Sequence, residues 1–223
     1  MIIFDVDGTL VDSRPGIVHA LLETAQAAGV GCRPDDIGPW AFGPPLPVVL
    51  GTLVGAGSPE RIRQLIPVFR RAYDNEGIGL SAVFAGVAEL LGRLRQRGYQ
   101  MIFASANEQP IVRRLCVMHG LSEFPSCIVG ARDSHDHRSK IEIVREALRH
   151  ANNIAAPLVV VGDTEADILL ARALGVGVIS VTYGYRRRDV LEDHRPDHFA
   201  ASPQEVGRII ARNYRLVPTT GTS

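Results

Sequence analysis

Cysteine is scarce in this chain: three residues among 223, Cys32, Cys116 and Cys127, odd in number and without a CxxC spacing. That excludes a disulfide framework and points to a reducing, cytoplasmic setting. A charge surplus is also lacking, since 24 basic side chains meet 24 acidic ones and the formal net charge is zero. Proteins that grip a polyanion carry a basic excess, so nucleic acid is not expected as a partner. No basic, apolar leader opens the chain; MIIFDVDG holds two aspartates by position 7 and does not read as a signal peptide. Charge is missing altogether from residues 37–59, a stretch long enough to suggest a membrane span. Prolines at 39, 44, 45, 47 and 59 argue against a spanning helix, and five glycines loosen the stretch further. It reads as soluble, loop-rich and functional, with no membrane partner. Internal repeats are absent.

What is present is a globular composition, 46% hydrophobic and 22% charged, with enough chain for one large domain or two small ones. Residues 1–6 form an apolar, β-branched run, interrupted by Asp5 and stopped by Asp7-Gly8-Thr9, which reads as a buried strand. Val18, Leu21, Leu22 and Ala25 follow helical spacing, with Gly29 beyond. Ser58 and Pro59 suit the cap and first position of a second helix, whose stripe is Ile62, Leu65, Ile66, Phe69 and Tyr73 and which Pro67 should kink. No strand pattern stands between 15 and 80. From residue 83 onward helices and strands alternate. Strands are expected at 99–104, 127–129, 158–161 and 177–182, and helices at 87–94, 110–120, 141–148 and 166–174. Such alternation implies an α/β fold: a doubly wound parallel sheet that binds ligands at the carboxyl ends of its strands. The polar tail from Val217 reads as mobile.

Polar residues fall at those strand ends. Asp5 and Asp7 close the first strand, Ser105 follows the strand 99–104, and Asp163 follows 158–161 within GDTEAD, with Asp167 one helical turn on. Lys140 opens a helix behind a Ser139 cap. Each alone has a plain structural reading as a turn, a cap or a solvated lysine; together, in this order, they describe a site. Carboxylates this close repel, so a cation is required, and oxygen ligands without a His/Cys cluster favour Mg²⁺ over zinc.

FDVDGTLVDS (residues 4–13), Ser105, Lys140 and GDTEAD (residues 162–167) resemble, in that order, the four motifs of the haloacid dehalogenase-like phosphohydrolases. The resemblance covers almost the whole chain. It implies that Asp5 is a nucleophile forming an aspartyl-phosphate and that Asp7 is the general acid/base. Gly8, Thr9, Ser105, Ala106 and Lys140 would hold the phosphoryl group, and Mg²⁺ would sit on Asp5, the Asp7 carbonyl, Asp163 and Asp167. Dehalogenase members lack the second acid, because a halide leaves without a proton; Asp7 therefore marks a phosphatase. Residues 15–81 would be an all-helical cap inserted into a core of 1–14 and 82–223. FGPPL, carrying Phe42, Gly43, Pro44, Pro45 and Leu46, is similar to a substrate loop of phosphoglycolate phosphatase-like and 5′-nucleotidase-like members. VTYGY (residues 181–185) resembles a late-strand segment of the same group.

The expected activity is hydrolysis of a small phosphorylated metabolite, phosphoglycolate-like, with nucleoside monophosphates or a phosphomutase reaction as alternatives. Two positions depart from relatives. Ala106-Asn107-Glu108 stands where a basic or amide residue usually follows the serine, and Arg186 where Gly is frequent. A non-enzymatic phospho-acceptor of the receiver type combines the same residues, but takes phosphate on a central strand and has no cap. Three further features keep a plain reading: His135-Asp136-His137 as a polar loop, Arg186-Arg187-Arg188 as a solvated face, and GAGSPE (residues 55–60) as no dinucleotide fingerprint. Trp40 and Phe42 suit either the cap core or a lid over the substrate.

Overall fold

The computed structural model describes residues 1–55, 57–133, 138–150, 156 and 158–216; the His135-Asp136-His137 run and the tail from Val217 lie outside them. The expected apolar strand is β1 (Ile2–Asp5), all four residues buried. It lies between β4 (Met101–Glu108) and β6 (Val159–Gly162), with β5 (Cys127–Ala131) beyond β4, and β7 (Gly177–Val181) and β8 (His198–Ala200) beyond β6. All five pairings are parallel, and Phe4 stands in register with Phe103 on one side and Val161 on the other.

Side chains alternate across a strand, so the two faces of β1 bury different residues. Ile2 and Phe4 join Leu90 and Leu94 of α4 (Val87–Gln96), Val112 and Leu115 of α5 (Gln109–Met118), and Val206 and Ile210 of α9 (Pro203–Asn213). Met1 and Ile3 join Ile143 and Val144 of α6 (Lys140–His150), Ile168 and Leu170 of α7 (Glu165–Leu174), and Leu191 of α8 (Arg188–Asp193). The result is the doubly wound parallel sheet, covered on both faces.

Three sequence expectations need correction. β1 is central in the sheet, so a central position for the acidic strand does not separate this fold from a phospho-acceptor domain. Ser105 lies within β4 and not after it: the strand continues to Glu108 through a register shift between Ala104 and Glu108. Gly130 of β5 makes room for that irregularity, since a Cβ there would stand 2.5 Å from the Asn107 carbonyl oxygen. The uncharged stretch 37–59 is also more regular than a loop, because it contains α2 (Leu46–Leu53). Pro45 caps α2 and Pro47 occupies its first turn, where a missing N–H costs nothing. β8, α8 and α9 were not anticipated; β8 has three residues, too few for an alternating pattern.

Between β2 (Val11–Asp12) and β3 (Ala82–Val83), which pair antiparallel, the chain runs through α1 (Arg14–Ala27), α2 and α3 (Pro59–Asn75). The Ser58 hydroxyl accepts from the Arg61 N–H, as its cap role requires. α3 runs on through the exposed Pro67 to Asn75. These helices bury their own cluster, including Leu21, Phe42, Leu50, Leu65 and Ile66. No helix among the described residues is long and apolar enough to cross a membrane.

The base of this helical segment is held by two glycines. A Cβ on Gly16 of α1 would fall 2.0 Å from the Gly77 carbonyl oxygen, and one on Gly77 would fall 2.9 Å from that of Gly16. Alanine in a helix gains about 1 kcal/mol over glycine, whereas forcing apart a packed backbone costs about 1–3 kcal/mol. Gly16→Ala is therefore expected to lower the urea midpoint; an unchanged or raised midpoint would show that the contact is not close.

Candidate active site

Three strand ends and one helix start supply the site, and the backbone around them explains why. After Asp5 the chain turns sharply, with the Thr9, Leu10 and Val11 N–H groups all directed to the Val6 carbonyl and Gly8 at φ +85°. A Cβ on Gly8 would meet an Asp163 oxygen at 2.4 Å, and one on Gly184 would meet the Asp163 Cβ at 2.3 Å. The two glycines thus let two loops close around one carboxylate. Beyond Asp163, Thr164 caps α7, and Asp167 accepts from the Thr164 N–H at 3.1 Å and its hydroxyl at 2.7 Å. Lys140 begins α6 behind Ser139, whose hydroxyl accepts from the Glu142 N–H at 3.3 Å.

These pieces meet. The buried Lys140 ammonium donates to Asp5 Oδ1 and, at 2.6 Å, to Asp167 Oδ1. Asp5, Asp163 and Asp167 each offer a carboxylate oxygen within 4.8 Å of the others. Asp163 accepts from the Tyr185 N–H at 2.7 Å and the Thr9 hydroxyl at 3.4 Å. Asp7 is held separately, accepting from the Ser13 hydroxyl at 2.7 Å, the Ser105 hydroxyl at 3.0 Å and the Asn107 amide at 3.0 Å. Because Ser13 donates to Asp7, the 2.8 Å contact between Ser13 and Tyr185 has the tyrosine as donor; the Tyr185 oxygen in turn accepts from the Ser13 N–H.

Burial pushes the Asp5 carboxyl well above its usual range; Lys140 opposes this, while Asp167, Asp163 and Asp7 add to it. Burial likewise pushes Asp163 up to about 7, with Asp167 adding and Tyr185 and Lys140 opposing. For Lys140 burial alone would lower the ammonium, but Asp167 and Asp5 outweigh it and hold it above its usual range. Three buried carboxylates therefore share one ammonium, an imbalance that a divalent cation would neutralise. The donor set is oxygen alone, which suits a hard ion.

A cleft opens over Asp5, Asp7, Ser105, Ala106 and Lys140, and Phe42, Gly43, Pro44, Pro45 and Leu46 line it as expected. Gly8 and Thr9 do not line it, and the Thr9 hydroxyl is turned to Asp163. Asp163 and Asp167 lie beneath, fully buried. Phe42 serves both the helical core and the cleft wall, its ring 4.8 Å from that of Tyr185. Trp40 packs at the edge of the helical core, away from the cleft, and donates to the Asp36 carbonyl. Ser13, Asn107 and Tyr185 were missed; Asn107 and Tyr185 reach the site through contacts remote in sequence, and Ser13 through the nearby Asp7. Arg186 needs correction: it is no solvated residue, since its Nε donates to Glu165 at 2.8 Å and its Nη1 to the Pro39 carbonyl at 2.8 Å. Arg187 and Arg188 are exposed, as expected.

Residues 2–181 match the family model of the haloacid dehalogenase-like hydrolases, and the chain belongs to that family. Among relatives, a phosphoglycolate phosphatase of Cupriavidus necator is 32% identical over 203 residues, covering 82% of this chain and 81% of its own. The 5′-nucleotidase of Pseudomonas aeruginosa is 29% identical, covering 94% of each. The tyrosine-protein kinase PtkA of Mycobacterium tuberculosis is 30% identical over 86% of this chain, which spans about 65% of that relative's length. The solved structure of PtkA superposes with a TM-score of 0.79 at 29% identity, covering 94% of this chain and 96% of that one. A predicted phosphatase from Clostridium acetobutylicum shares the fold at TM-score 0.85 and 22% identity, covering 94% and 97%.

The carboxylate cluster sets a pH dependence. Asp163 has a folded pKa of about 7 against 3.8 as its ordinary value, so folding takes up a proton between those pH values. Its contribution to stability is present at low pH and is lost as pH rises through 7. A divalent cation displaces that proton, so it should stabilise the protein by about 3 kcal/mol at pH 8 when present at 100 times its Kd there, and by less at pH 5. Thermal melting with and without Mg²⁺ at the two pH values measures this. Equal increments would rule out the cluster as the binding site.

Proposed function

We propose that this protein is a cytoplasmic, Mg²⁺-dependent phosphatase that hydrolyses a small phosphate monoester through an aspartyl-phosphate. In this reading residues 15–81 form a cap over a core of 1–14 and 82–223. The observation that carries it is the pairing of two carboxylates with different partners at one cleft: Asp5 held by Lys140, and Asp7 held by three neutral donors.

Phosphate enters from the cleft, where Asp5 is reachable; Lys140 has one N–H beyond the two given to Asp5 and Asp167, and the Ser105 hydroxyl would turn from Asp7 to donate to a phosphoryl oxygen. The Asp5 oxygen bonds to phosphorus while the bond from phosphorus to the ester oxygen breaks. Asp7 carries a proton to that departing oxygen, and afterwards takes one from the water that attacks phosphorus, freeing Asp5 and inorganic phosphate. Ser13 and Asn107 keep Asp7 in position for both transfers. Mg²⁺ held by Asp5, Asp163, Asp167 and the Asp7 carbonyl would supply the positive charge that lets two anions meet. Asp5, Asp7, Lys140 and Asp163 are all present, which disfavours a degenerate, binding-only relative.

Phosphoglycolate leads as substrate on the 32% identical relative, and the 5′-nucleotidase relative makes nucleoside monophosphates the second candidate. Purified protein with Mg²⁺ is expected to turn over p-nitrophenyl phosphate, and Asp5→Asn to abolish it; undiminished turnover in that variant would end the nucleophile assignment. Asp7→Asn should lower alkyl phosphate hydrolysis about 10²–10⁴-fold. With p-nitrophenyl phosphate, whose leaving group needs no proton, the same variant should give a burst of one product per enzyme before slow turnover.

A further inference from the structure

Glu108, at the end of β4, is paired across the cleft with Arg70 of α3. Both side chains line the cleft and both are half-buried, at 24% and 20% exposure. Much of the surrounding wall is apolar, including Phe42, Pro44, Leu46, Ile66 and Phe69. Among the described residues lining the cleft, the cations are Lys140, taken up by Asp5 and Asp167, and Arg70. Arg70 Nε is buried and makes no hydrogen bond. One turn along α3, Tyr73 Oη is also buried in the cleft wall, turned toward Ser13 without making a hydrogen bond of good geometry. An unsatisfied donor in a desolvated setting loses stability where it stands and recovers it when an acceptor arrives. A guanidinium held at one edge by a carboxylate still presents donors for a second, and its planar fork suits a carboxylate or phosphate.

We propose that Arg70 is a specificity-determining residue that binds a second anionic group on the leaving part of the substrate, with Glu108 as the positioning residue that aims its guanidinium into the cleft. The inference rests on the phosphatase reading for its first anion, the phosphoryl group over Asp5. It narrows the substrate class to phosphate monoesters carrying a carboxylate or a second phosphate. A neutral leaving group would offer the Arg70 guanidinium no charge to pair with, which is how a polar pocket rejects a substrate lacking the matching group.

Binding and turnover are tested separately. In an Asp5→Asn background, calorimetry compares phosphoglycolate, ethane-1,2-diyl bisphosphate and ethyl phosphate. With Arg70 in place, the doubly anionic probes are expected to bind about 10- to 100-fold tighter than ethyl phosphate; which of the two is tighter distinguishes carboxylate from phosphate. Arg70→Met should bring that ratio close to one, Arg70→Lys should keep part of it, and Glu108→Gln should reduce it while leaving the charge of Arg70 intact. In the Asp5 enzyme the same substitutions should raise KM for the doubly anionic ester with little change in kcat. A ratio near one with Arg70 present, or one unmoved by Arg70→Met, overturns the proposal. Should Arg70→Met fail to fold, Arg70→Lys and Glu108→Gln carry the same comparison. Preferential binding without hydrolysis by the Asp5 enzyme would instead refute the phosphatase reading and leave the role of Arg70 standing.

Discussion

Electrostatic crowding around Lys140 is the constraint on which the rest of the molecule depends. One buried ammonium stands among Asp5, Asp163 and Asp167, so the fold must hold together groups that repel. Adjacent parallel strands do this by bringing the ends of β1 and β6 side by side, at a spacing set by backbone hydrogen bonds and paid for by the apolar layers on both faces. The glycines at 8 and 184 then admit a carboxylate where any side chain would collide with it. Asp167 also shows how tightly structure and chemistry are joined, since one carboxylate caps α7 and pairs with Lys140.

The helical segment is tied to this centre by polar and aromatic contacts at its rim. Arg186 reaches from beyond β7 to the Pro39 carbonyl, Arg70 reaches from α3 to Glu108, and Phe42 lies against Tyr185. Tyr185 connects these contacts to the chemistry, because its N–H binds Asp163 while its hydroxyl binds Ser13, the neighbour of Asp7. The helical segment and the acid/base candidate therefore meet at one side chain. Glu108 and Arg186 make their rim contacts away from the carboxylate cluster.

Much of the fold was legible in the chain, because a buried parallel strand needs a continuous apolar run and a helix facing it needs an apolar stripe. Asp5, Asp7, Asp163 and Lys140 stood out as charges at the ends of such patterns. The uncharged stretch 37–59 misled, since proline at the start of a helix looks the same in sequence as proline in a loop. The end of β4 was placed too early because its register shift breaks the alternation that marks a strand. Asn107, Ser13 and Tyr185 were illegible for a different reason: hydroxyls and amides carry no periodic signature, and Asn107 and Tyr185 act through partners 100 and 172 residues away.

The sequence by itself determined the class of fold, and it marked out four acidic residues and a lysine as site candidates, with a surplus of carboxylate that a cation would neutralise. These follow from local pattern and from the chemistry of side chains, which do not require knowledge of distant neighbours. Only the tertiary structure decided which carboxylate pairs with Lys140, which one is left to neutral donors, and that Arg70 stands against Glu108 with a donor unsatisfied. Those facts arise where loops from separate parts of the chain converge. Distance and desolvation there set the strength of every interaction, and neither is written in the order of the residues.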